Sequence, residues 1–250
     1  MKEKVCAILQ PHYLPWLGYF EMIDRVDLFV YLDDVQFIKR EWKNRNKIRK
    51  TATATETKWL TVPIDRASQR GPINEAKFSN AEDWVSKHLS AIRETYGKTP
   101  YYNDYGPKLE NALRNFSTLS LAELNIGLLR EICDWLGITT QVICSSELNV
   151  TGKREEKLRN ICVEVGASKY LANNATATYV APDYFQEMGI AFETQSYSHP
   201  KYVQSHRSEK LPFLEFLSIV DLLFNHGDES LSVIWRGRPP KGAESIQGNS

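Results

Sequence analysis

The stretch 5–36, VCAILQPHYLPWLGYFEMIDRVDLFVYLDDVQ, decides the fold. Residues 5–10 form an apolar run that stops at Pro11, whose ring removes a backbone donor, as expected where a buried strand ends. Residues 11–15 read as a turn. Residues 16–25 place Trp16, Phe20 and Ile23 on one helical face, and residues 27–32 mix branched and aromatic side chains in the manner of a strand. Strand, turn, helix and strand within about 30 residues is the length of one βαβ unit. The Gln10-Pro11 turn then follows the carboxyl end of the first strand, and Asp33-Asp34-Val35-Gln36 follows that of the second. In open parallel sheets ligands bind in the crevice outside those ends.

Outward from this unit, residues 58–64 and 73–78 read as short strands around Gly71-Pro72, a candidate hairpin. A helical section over about 80–137 follows, with Trp84, Val85, His88, Leu89, Ile92 and Tyr96 at helical spacing and a longer apolar stripe over 119–136 that stops at Gly137. Strands are expected over 139–144, 170–172 and 190–197, and helices over 154–165 and 182–188, closed by Gly166 and Gly189. Residues 212–225 are apolar nearly all round and read as a buried helix. This alternation predicts an α/β fold: a Rossmann-like, mostly parallel sheet flanked by helices, with a helical section in the middle and at the C-terminus. We expect one domain over 1–235 and a flexible tail over 236–250, which is polar and rich in Gly and Pro.

Composition narrows the function classes. The 250 residues are 42% hydrophobic and 25% charged, which excludes wholesale disorder and collagen-like or coiled-coil architecture. Lys plus Arg equals Asp plus Glu at 31 each, so there is no bulk charge to gather nucleic acid. The largest apolar concentration, 211–224, contains Pro212, Glu215 and Asp221 and is shorter than the ~20 residues that span a bilayer. With no secretory leader pattern either, a cytoplasmic protein is expected. Cys6, Cys133, Cys144 and Cys162 lie far apart without zinc-ligand spacing and read as reduced thiols. The common phosphate-loop, dinucleotide, nucleophile-elbow and zincin motifs are absent.

Four constellations can carry chemistry. In the first, two prolines and a glycine shape residues 10–20 so that Gln10, Tyr13 and Trp16 can line a pocket that stacks a ring and bonds its edge; the alternative is a rigid turn with core aromatics. In the second, Asp33 and Asp34 can hold a hydrated Mg²⁺ beside a phosphate, Asp34 can act as an acid or base, and Gln36 lies next to them; a solvated turn is the alternative. The basic segment 39–50 follows at once, with seven Lys or Arg and one acid, a net of +6. Arg45 there, between Asn44 and Asn46, suits phosphate, and Trp42 can position a sugar or base. The third, 197–207, supplies His199 as a general base with Tyr202 and Gln204 as substrate contacts. The fourth is Asp221, a carboxylate in an apolar stretch that must be paired, either by orienting His199 or by satisfying a helix end.

At these residues the chain resembles the WbqC-like protein family. The likeness rests on Gln10-Pro-x-Tyr13-Leu-Pro15-Trp16-x-Gly18, Asp33-Asp34-Val-Gln36, Trp42-x-Asn44-Arg45 and Trp59-Leu-x-Val-Pro63, then on His199-Pro200-x-Tyr202-x-Gln204 and Ser218-Ile-x-Asp221. It implies a place in bacterial surface-polysaccharide (O-antigen) biosynthesis. The opening strand, turn and helix are also distantly similar to the nucleotidyltransferase-like α/β fold, although its H-x-G-H turn is not matched: Gly18 is followed by Tyr19, and His12 stands six residues earlier. The expectation is therefore an enzyme, an acyltransferase or ATP-dependent amide ligase, that binds a nucleotide or nucleotide-sugar and forms an amide or ester on the sugar. ATP and Mg²⁺ would be its cofactors and an acyl donor its co-substrate. A nucleotidyltransferase and a non-catalytic carbohydrate-binding or assembly partner are the alternatives.

Overall fold

The computed structural model describes residues 3–79, 83–204 and 211–240. Its centre is a parallel sheet of β1 (Val5–Leu9), β2 (Leu28–Tyr31), β5 (Gln141–Cys144), β6 (Lys169–Ala172) and β7 (Ala191–Thr194), in the order β5-β2-β1-β6-β7. β1 and β2 pair in register from Cys6 opposite Leu28 to Leu9 opposite Tyr31, joined by α1 (Leu17–Arg25). The α/β fold with a parallel sheet is thus as expected.

Because successive side chains in a strand face opposite ways, each central strand feeds two cores. Ala7, Phe29, Tyr31 and Leu171 face α1 and the larger helical layer. Cys6, Ile8, Leu28, Val30 and Tyr170 face a smaller layer with Leu158, Ile161 and Cys162 of α5 (Arg154–Glu164). The near-continuous hydrophobicity of β1 and β2 in sequence follows from burial on both faces. All four cysteines are buried and free.

Between β2 and β5 the chain builds an antiparallel hairpin of β3 (Arg45–Arg49) and β4 (Thr57–Thr61), then α2 (Trp84–Tyr96), α3 (Tyr102–Phe116) and α4 (Leu121–Leu136). The capping box in which Ser120 and Glu123 exchange hydrogen bonds starts α4, and Gly137, at a φ of 74°, ends it. Downstream lie α6 (Asn174–Ala177), α7 (Asp183–Gln186), α8 (Ile219–His226) and α9 (Ser230–Trp235). Among the described residues no helix is long and apolar enough to cross a membrane.

Two local expectations are corrected. Of the expected hairpin of 58–64 with 73–78 there remains the antiparallel bridge between Ile64 and Phe78, Ile73–Glu75 being a single 3-10 turn, and β4 itself pairs with the basic segment. That segment makes a strand because Asn46 and Ile48 alternate inward while Arg45 and Lys47 remain part-exposed. Residues 212–225 are helical only from Ile219, where Ser218 caps the start; before it Phe216 takes a φ of 57°, incompatible with a continuing helix. α3 falls within the helical section expected over 80–137, although Gly106 and Pro107 lie inside it. At the other end, Arg238, within the stretch read as a tail, pairs with Glu21 at 3.1 Å and with Asp24 at 2.5 Å. Residues 241–250 of that expected tail lie outside the described residues.

Candidate functional site

Strand order determines where a crevice opens. From β1 the chain turns to β2 on one side, whereas from β6 it turns to β7 on the other, so β1 and β6 are neighbours whose outgoing segments diverge. A crevice at such a switch point is the usual ligand position in open α/β sheets. Here it is a cavity of about 320 Å³.

Its first wall is the turn after β1. The backbone N–H of Tyr13 donates to Trp42 O at 2.9 Å, and Asn46 Nδ2 donates to Leu14 O at 2.7 Å, holding Leu14 at a φ of 41°. Asn125, from α4, donates to both Pro11 O and Lys43 O at 2.9 and 2.7 Å. The basic segment is thereby fastened beside the turn. Gly18 lets Trp16 fold back over the helix start, since a Cβ there would lie 2.3 Å from the indole. Trp16 in turn packs edge-on against Phe216, at 5.2 Å between rings, and stacks on His199 at 5.9 Å.

The opposite wall is Asn173 to Ala175, at the carboxyl end of β6, with Gln195 just past β7. Gln195 Nε2 donates to Gly18 O and to Glu21 Oε2 at 2.8 and 2.6 Å, leaving its carbonyl oxygen as an acceptor. Trp42, Tyr19, His12 and Asn46 add to the lining, in which no Asp, Glu, Lys or Arg among the described residues takes part. His12 sits 5.2 Å from the Tyr19 ring. Burial, aided by the charge of Lys43, pushes its pKa down to about 3, so the imidazole is neutral near pH 7. Aromatic faces with amide groups and one neutral imidazole suit an uncharged polyhydroxylated ring: apolar faces pack, and amides bond hydroxyls.

Of the residues expected from sequence, Trp16 lines this crevice, and Gln10 and Tyr13 belong to its turn. Tyr13 is fully buried, with its hydroxyl 2.9 Å from His88 Nδ1, so it supports the turn from behind. Asn44 donates to Val62 O at 3.1 Å, and the Arg45 guanidinium lies 4.0 Å from the Trp59 ring centre. Gln36 lies away from the crevice, donating to Arg70 O at 3.2 Å.

Asp33 and Asp34 are occupied by protein donors. Asp33 accepts from Ser146 N and Ser146 Oγ at 3.0 and 2.6 Å, with Ser145 Oγ also 3.1 Å away, which fastens the turn after β5 to the end of β2. Asp34 accepts from Ser145 Oγ and from Lys157 Nζ, each at 2.5 Å. Burial works against the ionised form of Asp34, but the bonds from Lys157 and Ser145 and the lysine's charge outweigh it, and its pKa is lowered. With an ammonium and a hydroxyl already on one carboxylate and two donors on the other, the pair does not fit a divalent metal ion. Among the described residues no group of three or more His, Cys, Asp or Glu side chains is arranged to hold one.

Asp221 does not bond His199. Its Oδ2 accepts from Tyr202 Oη at 2.7 Å and from Gln204 Nε2 at 2.9 Å, and Gln204 Oε1 accepts from Arg49 Nη2 at 2.5 Å. Arg49, Gln204 and Asp221 are all fully buried. This network clamps the segment 199–204 between α8 and β3. His199 is held by rings instead, those of Trp16, Tyr202, Phe213 and Phe216, with Nδ1 against Pro200 O at 3.0 Å and a buried Nε2 that has no partner among the described residues. Burial lowers its pKa. Ser205, His206 and Arg207, read with it as one constellation, lie outside the described residues.

Sequence reasoning missed Asn173, Asn174, Gln195 and Phe216. The signal for the first three was available, because they follow the carboxyl ends of two strands just as Gln10 and Asp33 do.

Residues 10–233 match the WbqC-like protein family. The chain belongs to that family. A relative within reach is "Uncharacterized protein Rv1507c" of Mycobacterium tuberculosis (strain ATCC 25618 / H37Rv), 31% identical over 230 residues that cover 91% of this chain and 96% of the relative. The family match begins at Gln10 and ends in α9, so it takes in every crevice residue except Leu9. No solved structure matches the chain.

Proposed function

We propose that the chain is an enzyme of bacterial surface-polysaccharide (O-antigen) biosynthesis that seats the sugar of a nucleotide-sugar in the β1–β6 crevice and takes part in forming an amide or ester on it. The position of the crevice carries the reading: a neutral cavity, walled by aromatic rings and amides, at the switch point of a parallel sheet. Trp16 and Tyr19 supply ring faces; Asn46, Asn174 and the Gln195 carbonyl supply hydrogen bonds; His12 is the imidazole a ligand there can touch. The pathway comes from the family likeness, and the amide or ester chemistry from the distant likeness to the nucleotidyltransferase-like fold. No step is assigned to Asp33, Asp34 or a metal.

The absence of charged side chains from the lining, among the described residues, favours one further reading, a non-catalytic carbohydrate-binding partner in the same pathway. A thermal-shift screen against nucleotide-sugars, with nucleotides and free sugars beside them, tests the shared claim. A ligand at a hundred times its Kd stabilises the native state by about 2.7 kcal/mol, which is about 5–11 °C for a chain of this size. No shift from any sugar-bearing ligand would remove both readings. Turnover of a shifting ligand with an acyl donor separates the enzyme from the binder.

A further inference from the structure

The hairpin beside the crevice carries groups that the crevice does not use. Lys47 of β3 stands directly opposite Trp59 of β4, and Arg45, two residues before Lys47, lies on the same face. The Arg45 guanidinium is 4.0 Å and the Lys47 ammonium 4.9 Å from the Trp59 ring centre. Trp42 continues the surface at 5.5 Å from Trp59, with Lys47 at 6.0 Å from it, and Trp42 is also a wall of the crevice. The two indoles stay 42% and 41% exposed, an uncommon placement for the largest apolar side chain.

The charges around them are unequally matched. Lys43 pairs with Glu41, Lys50 with Glu56 and Lys58 with Glu94, and Arg49 belongs to the buried network. Arg45 and Lys47 have no carboxylate within ion-pair distance among the described residues, and Arg45 Nε is buried without a partner. Two uncompensated cations beside two open indoles complement a ligand that is both flat and negative. The adjoining crevice is neutral. A molecule with a flat end, a negative middle and a neutral polyhydroxylated end fits this order of surfaces.

We propose that the outer face of the β3–β4 hairpin binds the nucleoside diphosphate part of the ligand. The base stacks on Trp59 and Trp42, the phosphates lie on Arg45 and Lys47, and the group attached to the diphosphate passes Trp42 into the crevice. The inference rests on the reading of the crevice as a sugar site, but it is tested without a sugar.

The probes are UDP, CDP, GDP and ADP, each titrated into the full chain by calorimetry at low and at physiological salt. At least one should bind at millimolar concentration or below, more weakly as salt rises. Trp59→Leu should weaken it about ten-fold or more, as loss of a stacked base does. Arg45→Gln and Lys47→Gln should each weaken it and flatten its salt dependence, with melting temperatures showing that these exposed-face variants stay folded. Absence of binding by all four probes would overturn the proposal, as would binding indifferent to all three variants. Binding lost in Asn174→Ala but kept in Trp59→Leu would put the nucleotide in the crevice, which sinks the hairpin site while leaving the crevice reading intact. A failure of the crevice reading alone would appear as hairpin-dependent diphosphate binding that no attached sugar strengthens.

Discussion

Replacing Asp221 by alanine removes the acceptor of two short hydrogen bonds, from Tyr202 Oη and Gln204 Nε2, inside a region without solvent. Gln204 also receives Arg49, so the loss leaves a fully buried guanidinium in a network that has lost its carboxylate. Breaking a buried charged network from one side costs about 3–5 kcal/mol, far more than an exposed ion pair is worth. At about 2–4 °C per kcal/mol, the melting temperature should fall by about 6–20 °C. In urea the midpoint should drop with the slope unchanged, because the same surface is exposed on unfolding. Asp221→Asn keeps the shape and an acceptor oxygen, so its loss should be smaller. Were Asp221 instead the group that orients His199 for catalysis, the alanine variant would keep a native midpoint and lose turnover. That result would refute the clamp.

Acidification should destabilise the fold through its buried histidines. Burial holds His12 at about 3 and His88 at about 4 in the folded chain, against about 6.5 when unfolded, so the unfolded state binds the extra protons. Their contribution is intact above pH 6.5 and is lost as pH falls from there towards the folded values; from pH 7 to pH 5 it amounts to about 2 kcal/mol per histidine. Urea unfolding at the two pH values measures this, and equal midpoints would contradict it. Gly18→Ala puts a Cβ 2.3 Å from the Trp16 indole, which must retreat about 1.2–1.7 Å to reach ordinary contact. The helix gains about 1 kcal/mol from alanine against an overpacking cost of about 1–3, so stability should fall by about 0–2 kcal/mol while the Trp16 fluorescence and the ligand-induced melting shift both change. Lys157→Met should raise the pKa of Asp34 by removing the bond and charge that lower it, read by a carboxyl-carbon titration; an unmoved titration would mean that the pair is not formed.

How far the sequence could be read depended on how local each cause was. The β1–α1–β2 unit was legible because its apolar runs, its turn prolines and the face of Trp16 and Phe20 lie within 32 residues. The same holds for α4, whose start is a capping box of four residues and whose stop is one glycine. β3 was hidden because Arg45, Lys47 and Arg49 read as a charged run; its inward positions are polar Asn46 and apolar Ile48, and one partner of the buried Arg49 is Gln204, 155 residues away. The two aspartates after β2 looked free for chemistry for the same reason. Their partners Ser145 and Lys157 lie more than 110 residues downstream, and nothing near residue 33 announces them. The crevice was half legible. Its β1 wall was anticipated from Gln10 to Trp16, whereas its β6 wall depended on a strand order that fixes β6, rather than β2, as the neighbour across the opening.

A crystal structure of the chain with the nucleotide-sugar that most raises its melting temperature tests the central claim directly. The sugar should lie between Trp16 and Asn174, within hydrogen-bond reach of Asn46 or Gln195. Density for the sugar over the ends of β2 and β5, against Asp33 and Ser146, would contradict the assignment of the β1–β6 crevice.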